Sequence, residues 1–287
     1  MYEMKPIELE EHRKLQIAIL EDLASFCKKH NLRYYLAYGT LIGAVRHQGF
    51  IPWDDDIEIQ MPREDFNILI ELYNKEKGEN ARYYLVSPDD KRSLNAFTKI
   101  IDTTTIKKQF GIAYKTPDDY LGVDIDVFPL DGAPSDKEEY KKWFKKLIWL
   151  YTRYWYKNQN KRDSLKGWLK LFMHKLPGIF LSKKGILKKT AKLHAKYPFA
   201  ECEYVAIVED ASCDFGSHTK KSNYEESVML DFEDKKFAVP KGYHEVLTAI
   251  YGDYMQLPPI EQQVTHHVNT VFYKEKSESN VIGSEKQ

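Results

Sequence analysis

The sequence predicts an α+β fold in which helices flank a small mixed β-sheet. Two stretches that alternate apolar and acidic residues, 55–61 and 123–128, predict neighbouring strands. Apolar residues at helical spacing over 7–30 predict an amphipathic helix. The segment 136–196 is helix-prone, basic and rich in aromatic residues, and we expect it to form a separate helical region inserted into the chain.

The remaining elements follow from the periodicity of apolar residues and from turn signals. The first helix ends at His30-Asn31, and a short helix over 39–46 is opened by a Gly-Thr turn. A second long helix is predicted over 62–75, and a closing helix over 243–251. The other predicted strands are 32–38, 83–86, 95–101 and 237–240, with a turn over 129–135.

This pattern divides the chain into four parts. Residues 1–135 form the predicted core, 136–200 the basic helical region, 201–273 a C-terminal part that completes the substrate pocket, and 274–287 a polar tail.

Carboxylates on the two alternating stretches are the first candidates for chemistry. Asp56 and Glu58 are two positions apart, so in a strand both face one side while Ile57 and Ile59 face the core. Carboxylates on one face repel each other unless a cation lies between them, and their hard oxygens suit Mg²⁺, with Mn²⁺ as an alternative. Asp124 and Asp126 likewise share one face of their predicted strand.

The spacing of these residues resembles a nucleotidyltransferase signature, in which a Gly-Ser/Thr pair precedes an Asp-apolar-Asp/Glu-apolar strand. Gly39-Thr40 and Asp56–Ile59 supply both parts. The resemblance extends to three blocks: GTLIGAVRHQGFIPWDDDIEI at 39–59, DIDVFPLDG at 124–132 and VPKGYHEVLTAIYGDYMQLPP at 239–259. Together they look like the LicD family. Glu58 stands where that family usually has Asp, and Asp124 is an additional acidic residue.

The resemblance implies a nucleotidyltransferase-like core and a two-metal phosphotransferase. LicD proteins are associated with moving phosphocholine from CDP-choline to cell-surface glycans. Asp56 would bridge two ions, Glu58 would hold the ion at the leaving diphosphate, and Asp126 would hold the other and take the acceptor hydroxyl's proton. A CDP-linked alcohol would be the donor, a teichoic acid precursor or similar anionic glycan the acceptor, and CMP the leaving group.

Further residues are candidates for holding the substrate. Gly39 and Thr40 lie at a helix N-terminus, where a phosphate binds well. Arg46, His47 and Lys99 are candidate phosphate ligands, although Arg46 would alternatively neutralise Asp54 or Asp55 and Lys99 would alternatively be a surface lysine. The remaining candidates come from the acidic loop and the C-terminal block: Trp53, Asp54, Asp55, Tyr251, Asp253 and His267. Trp53 offers a ring face to a quaternary ammonium, or packs in the core.

Two other functions use the same sequence differently. A nucleotidyltransferase would move a nucleoside monophosphate to a small molecule or protein and release pyrophosphate instead of CMP. A degenerate binding or scaffold protein would need no catalysis, but such a protein has no reason to keep three mutually repelling carboxylates.

Charge and composition bear on partners and location. The net charge is zero, yet residues 137–196 carry 18 Lys and Arg against three acidic residues. This basic region would grip a lipid-linked anionic glycan acceptor, lie on an anionic membrane surface, or form a solvated helical surface. No nucleic-acid-binding motif accompanies it. The three separated cysteines, the charged N-terminus and the lack of a long apolar run predict a cytoplasmic protein, free or peripheral at the inner face of the membrane.

Overall fold

A computed structural model gives the architecture. It describes residues 6–78, 80–90, 92–93, 95–109, 113–114, 122–161, 169, 172–173, 176, 180–208, 217–265 and 269–274.

The fold is α+β, as predicted. The helices are α1 (Leu9–His30), α2 (Tyr38–Arg46), α3 (Arg63–Lys77), α4 (Lys137–Asn158), α5 (Lys183–His194) and α6 (Tyr243–Tyr251). The strands are β1 (Tyr35–Leu36), β2 (Glu58–Pro62), β3 (Tyr83–Val86), β4 (Thr98–Asp102), β5 (Thr105–Gln109), β6 (Ala113–Tyr114), β7 (Asp124–Ala133), β8 (Gln159–Lys161), β9 (Tyr204–Ala206), β10 (Thr219–Lys220), β11 (Ser227–Phe232), β12 (Lys235–Pro240) and β13 (Asn269–Tyr273). Within the described residues no helix is long and apolar enough to cross a membrane.

The main sheet is mixed and is centred on β7. Its strands run in the order β1-β2-β7-β4-β3, and β9 and β10 extend it from the far end of β7. β2 lies parallel to β7, whereas β4 and β9 lie antiparallel to it. The register places Glu58 of β2 and Lys99 of β4 on either side of Asp126 of β7. Three separated segments therefore bring charged side chains to one level of the sheet.

The predicted turn over 129–135 is wrong, because β7 continues through Pro129 to Ala133. Pro129 pairs with Met61 on the β2 side. On the other side β4 pairs only as far as Val127, and β9 begins opposite Asp131. A proline has no N–H to donate, and here it occupies a gap between two partner strands. The strand predicted over 32–38 is also much shorter than expected, since β1 holds only two residues.

The helix α1 covers one face of the sheet. Its residues Leu15, Ile19 and Leu23 are buried in the main core, and the helix packs against β4 and β7. The hairpin β11–β12 and helix α6 contribute to the same core through Phe232, Val239 and Leu247. Residues near position 240 therefore complete a core that begins near residue 15. The strand β11 was not predicted from the sequence.

The basic helical region shares an apolar cluster with the main sheet, which contributes Ala133 of β7 and Ala206 of β9. Trp143, Phe144 and Tyr154 of α4 are buried with Ile186 of α5. Most aromatic residues that the sequence interleaves with lysines in α4 therefore stabilise the helix pair. Trp149 differs, because 41% of it is exposed.

A buried charged network ties this helical region to the sheet. Arg63 of α3 donates two hydrogen bonds to Asp131 of β7, at 2.7 and 2.6 Å. His194 of α5 lies 2.9 Å from the same carboxylate through Nδ1, and its Nε2 is 2.9 Å from the hydroxyl of Tyr151. A cavity of about 630 Å³ adjoins the network. Asp131 is five residues beyond Asp126 on β7, about 16 Å at the usual rise of a strand.

Candidate active site

Four carboxylates lie close together where β2 and β7 meet the N-terminus of α2. This carboxylate cluster consists of Asp54, Asp56, Glu58 and Asp126. Burial raises the pKa of Glu58 well above its usual range, and the charges of Asp56 and Asp126 raise it further. Burial also raises the pKa of Asp54 to about 7, with Asp56 as the next cause. The predicted convergence of acidic side chains from two strands is therefore present in the structure.

The strand predicted to begin at residue 55 begins at Glu58, so Asp56 lies just before β2. The backbone before it is still held against β7, because the N–H of Asp126 donates to the Ile57 carbonyl at 2.8 Å. Ile57 and Ile59 are fully buried, as the alternation predicts.

Helix α2 meets this cluster through Gly39 and Thr40. The Gly39 N–H donates to Glu58 Oε2 at 3.1 Å, and Thr40 Oγ1 accepts from the Glu58 N–H at 2.8 Å. A Cβ at position 39 would lie 2.7 Å from Asp54 Oδ2, so any larger residue here would have to displace the Asp54 carboxylate. Thr40 itself is buried and holds the start of β2.

Asp124 and Asp126 share one face of β7, and Lys99 lies between them. Its ammonium contacts Asp126 Oδ1 and lies 3.3 Å from Asp124 Oδ2. Lys107 of β5 contacts Asp124 Oδ1 at 2.8 Å. Lys99 is thus no surface lysine. The predicted phosphate ligand is paired with the carboxylates themselves.

These contacts give the two aspartates different electrostatics. Burial of Asp124 opposes its ionisation, but the ammonium groups of Lys107 and Lys99 hold its pKa well below the usual range. Burial raises the pKa of Asp126 to about 6, although Lys99 opposes that shift. Asp124 is therefore a structural carboxylate whose charge is neutralised by two lysines. The ionisation of Asp126, in contrast, is opposed by its burial and by the charge of Asp124.

The donor set suits a hard divalent cation by its chemistry, because it consists of carboxylate oxygens, and the charge of Asp56 helps to raise the pKa values of Asp54 and Glu58. In the part of the chain that the structure describes, no group of three such side chains is already arranged to hold a metal ion. The Lys99 ammonium, paired with Asp126, already neutralises part of the charge that a metal ion would balance.

Residues of α1 that the sequence reading missed also face the cluster. Arg13 donates to the carbonyls of Ile51, Pro52 and Asp54 and so fixes the acidic loop. His12 Nε2 and Gln16 Oε1 are buried and have no hydrogen-bond partner within the described residues. The sequence does carry a signal for these residues, because His12 and Gln16 are polar residues that interrupt the apolar face of α1.

Other predicted substrate residues gather at the opposite end of α2. A cavity of about 450 Å³ is lined by Ile42, Arg46, Ile51, Trp53, Tyr251, Asp253, Tyr254, Gln256, Leu257, Pro258 and Pro259. We call it the aromatic cavity. It unites Trp53 of the acidic loop with the C-terminal block.

Arg46 holds this C-terminal block in place. Its Nη1 donates to the carbonyl of Tyr254 at 2.7 Å, and its Nε hydrogen-bonds to His47 at 3.0 Å. These bonds to backbone carbonyls give Arg46 a structural role at the C-terminal block, in addition to the two predicted roles of phosphate ligand and partner of Asp54 or Asp55. His267 lies outside the described residues.

Comparisons with known proteins agree with this architecture. Residues 31–159 match the family described as LicD/FKTN/FKRP, nucleotidyltransferase domain. The chain is 32% identical over 284 residues to the lipopolysaccharide cholinephosphotransferase LicD of Haemophilus influenzae, covering 94% of this chain and 99% of that protein. Shorter matches join it to uncharacterised proteins of Rickettsia typhi (39% over 64 residues, 22% of this chain and 21% of that protein) and Rickettsia prowazekii (47% over 47 residues, 16% and 18%).

The fold and the match along nearly the whole chain place this protein among the LicD-like transferases. The chain belongs to the LicD family. The predicted family and the predicted class of enzyme are confirmed.

Proposed function

We propose that this protein is a Mg²⁺-dependent phosphotransferase with a nucleotidyltransferase-like core. It moves phosphocholine, or a related phospho-alcohol, from a CDP-linked donor to a sugar hydroxyl of a cell-surface glycan precursor and releases CMP. The name of the Haemophilus influenzae relative supports phosphocholine as the transferred group and lipopolysaccharide as the class of acceptor.

The carboxylate cluster is the observation that carries the proposal. Asp56, Glu58 and Asp126 would hold Mg²⁺, or Mn²⁺ in its place, and the bound ions would neutralise the charge that develops on the diphosphate. A cation would also relieve the repulsion that raises the pKa of Glu58.

The chain's own residues supply positioning and proton transfer. The α2 N-terminus directs backbone N–H groups and a positive dipole end toward the cluster, which favours a phosphate there. Asp126 has a pKa of about 6, close to neutral pH, so it is suited to accept the proton of the acceptor hydroxyl. Lys99 keeps the Asp126 carboxylate oriented through their ion pair.

The acceptor is proposed to approach along α4. Lys142, Lys146, Trp149 and Arg153 follow one another at i, i+4, i+7 and i+11, which is one face of the helix. We call them the basic stripe. Arg153 lies over the Trp149 ring at 4.6 Å. A stripe of cations around an exposed aromatic ring suits an anionic, lipid-linked glycan at the inner face of a membrane.

The decisive experiment compares Asp56→Asn with Asp234→Asn, an exposed aspartate in the β11–β12 turn. We expect Asp56→Asn to lower turnover of CDP-choline by about 10³-fold without a change in thermal stability, and Asp234→Asn to behave as wild type.

The product identifies the reaction. CMP is expected from CDP-choline, whereas pyrophosphate released from a nucleoside triphosphate would indicate nucleotidyl transfer instead. An Asp56→Asn enzyme with full activity would rule out the carboxylate mechanism, and no turnover of any donor by the wild type would favour a binding protein.

A further inference from the structure

The aromatic cavity continues the same face of α2 that meets the carboxylate cluster. Gly39 touches Asp54 and Glu58, whereas Ile42 and Arg46 line the cavity. These positions are i, i+3 and i+7, which lie on one side of a helix. Ile42, the first cavity residue on this face, lies about 4.5 Å along the helix axis from Gly39, at the usual rise per residue. A phosphate held at the cluster would direct its substituent into this cavity.

The walls of the cavity are suited to a quaternary ammonium group. Trp53, Tyr251 and Tyr254 supply three aromatic rings, and the rest of the lining is mostly apolar. Asp253 is exposed and adds a carboxylate to the lining. A quaternary ammonium cannot donate a hydrogen bond, so ring faces and a nearby negative charge are the groups that recognise it. A volume of about 450 Å³ is within the usual range for small-molecule sites.

Two of the three aromatic residues, Trp53 and Tyr254, are held in place before any ligand arrives, and Trp53 also packs against the main core. The Tyr254 hydroxyl is 2.9 Å from His244 Nδ1, and its carbonyl accepts from Arg46. The carbonyl of Trp53 accepts from the Thr265 hydroxyl at 3.0 Å, while Arg13 binds the carbonyls on either side of that residue. Preorganised walls lower the entropic cost of binding.

From this arrangement we propose that the aromatic cavity is the subsite for the trimethylammonium end of the transferred group, with Trp53, Tyr251 and Asp253 as its recognition residues. The inference rests on the proposed function, since it names the alcohol that the donor carries. It assigns Arg46 to positioning: the guanidinium holds the Tyr254 wall through backbone carbonyls.

The test compares donors that differ only in the alcohol. CMP release is measured with CDP-choline, CDP-ethanolamine and CDP-glycerol for wild type, Trp53→Leu, Tyr251→Leu and Asp253→Asn. Tyr251 is 44% exposed, so its matched control is Tyr273→Leu, at 47%, on β13. Asp234→Asn is the control for Asp253→Asn.

We expect Trp53→Leu and Tyr251→Leu each to raise the KM for CDP-choline about 2- to 30-fold, with little effect on CDP-glycerol. Trp53→Phe should restore most of the affinity, because it returns a ring face. Loss of activity that is equal for all three donors, or an unchanged KM for CDP-choline, would overturn the assignment.

A binding measurement separates this subsite from the proposed reaction. Calorimetric titration with phosphocholine alone needs no turnover, and binding should weaken in Tyr251→Leu but not in Tyr273→Leu. Phosphocholine binding without CMP release from any donor would leave the subsite standing and refute the transferase. If CMP is released and neither Trp53→Leu nor Tyr251→Leu changes that release, the transferase would stand and the subsite would be refuted.

Discussion

Asp124 and Asp126 lie two residues apart on one face of β7, yet the same substitution should affect them in opposite ways. Lys107 is 8% exposed, and its ammonium contacts Asp124 at 2.8 Å. Asp124→Asn therefore leaves a buried ammonium without a carboxylate partner. In contrast, Asp126→Asn removes a strained carboxylate while Lys99 keeps Asp124 at 3.3 Å.

The magnitudes follow from these contacts. Breaking a buried ion pair by removing one partner costs about 3 to 5 kcal/mol. We expect about 3 kcal/mol for Asp124→Asn, since the amide oxygen still accepts a hydrogen bond, and a fall in Tm of roughly 5 °C for a chain of this length. Asp126→Asn should leave Tm within about 2 °C. It removes the ion pair with Lys99, but it also removes a negative charge close to Glu58, and the two effects offset each other. The same substitution should lower turnover by about 10³-fold.

Urea denaturation and CMP release measure the two effects separately on the same preparations. Asp124→Asn with unchanged stability would refute the structural role of that carboxylate. Asp126→Asn with near wild-type turnover would refute its place in the reaction, whatever its stability.

Two further predictions concern charge. Asp54 and Asp126 have pKa values of about 7 and about 6 in the folded protein, above the value of about 3.9 for an unfolded aspartate. The folded state therefore binds more protons between about pH 4 and 7, so its stability should fall as pH rises through that window. Saturating Mg²⁺ should reduce the loss, and denaturation that is independent of pH and Mg²⁺ would contradict the cluster. Lys142→Glu with Lys146→Glu should slow transfer to an acceptor held in anionic vesicles more than transfer to a soluble acceptor sugar. The control, Lys14→Glu of α1 with Lys75→Glu of α3, reverses two exposed lysines outside the basic stripe and should not have this effect. Equal slowing with both acceptors would exclude the basic stripe as an acceptor surface.

Much of the site was readable from the sequence because its signals are local. The alternation of Ile57 and Ile59 with Asp56 and Glu58 fixes which side chains face the core, whatever the strand pairs with. The Gly-Thr turn before a short helix likewise identifies a helix N-terminus. The helix at Tyr243–Tyr251 was predicted with the bounds that the structure gives it, because its apolar spacing ends at a glycine.

Pairing between distant segments was not readable in the same way. Lys99 and Lys107 are ordinary lysines in the sequence, and only the sheet register brings them to Asp124 and Asp126. Judged from the sequence alone, Pro129 predicts a turn. The strand can continue through it because Pro129 lies in the gap between β4 and β9, and that gap exists only in the assembled sheet. For the basic, aromatic-rich region the sequence predicted an acceptor contact, a membrane contact or a solvated helical surface, and it does not show that α5 and the sheet cover most of the aromatic residues of α4.

The sequence by itself therefore determined the fold class, the family and the two acidic stretches, since each can be recognised from short blocks whose patterns are local. Only the tertiary structure decided that Asp124 is neutralised while Asp126 is not, and that Trp53 shares a cavity with Tyr251. Those outcomes depend on contacts between segments separated by up to about 200 residues, for which local patterns carry no information.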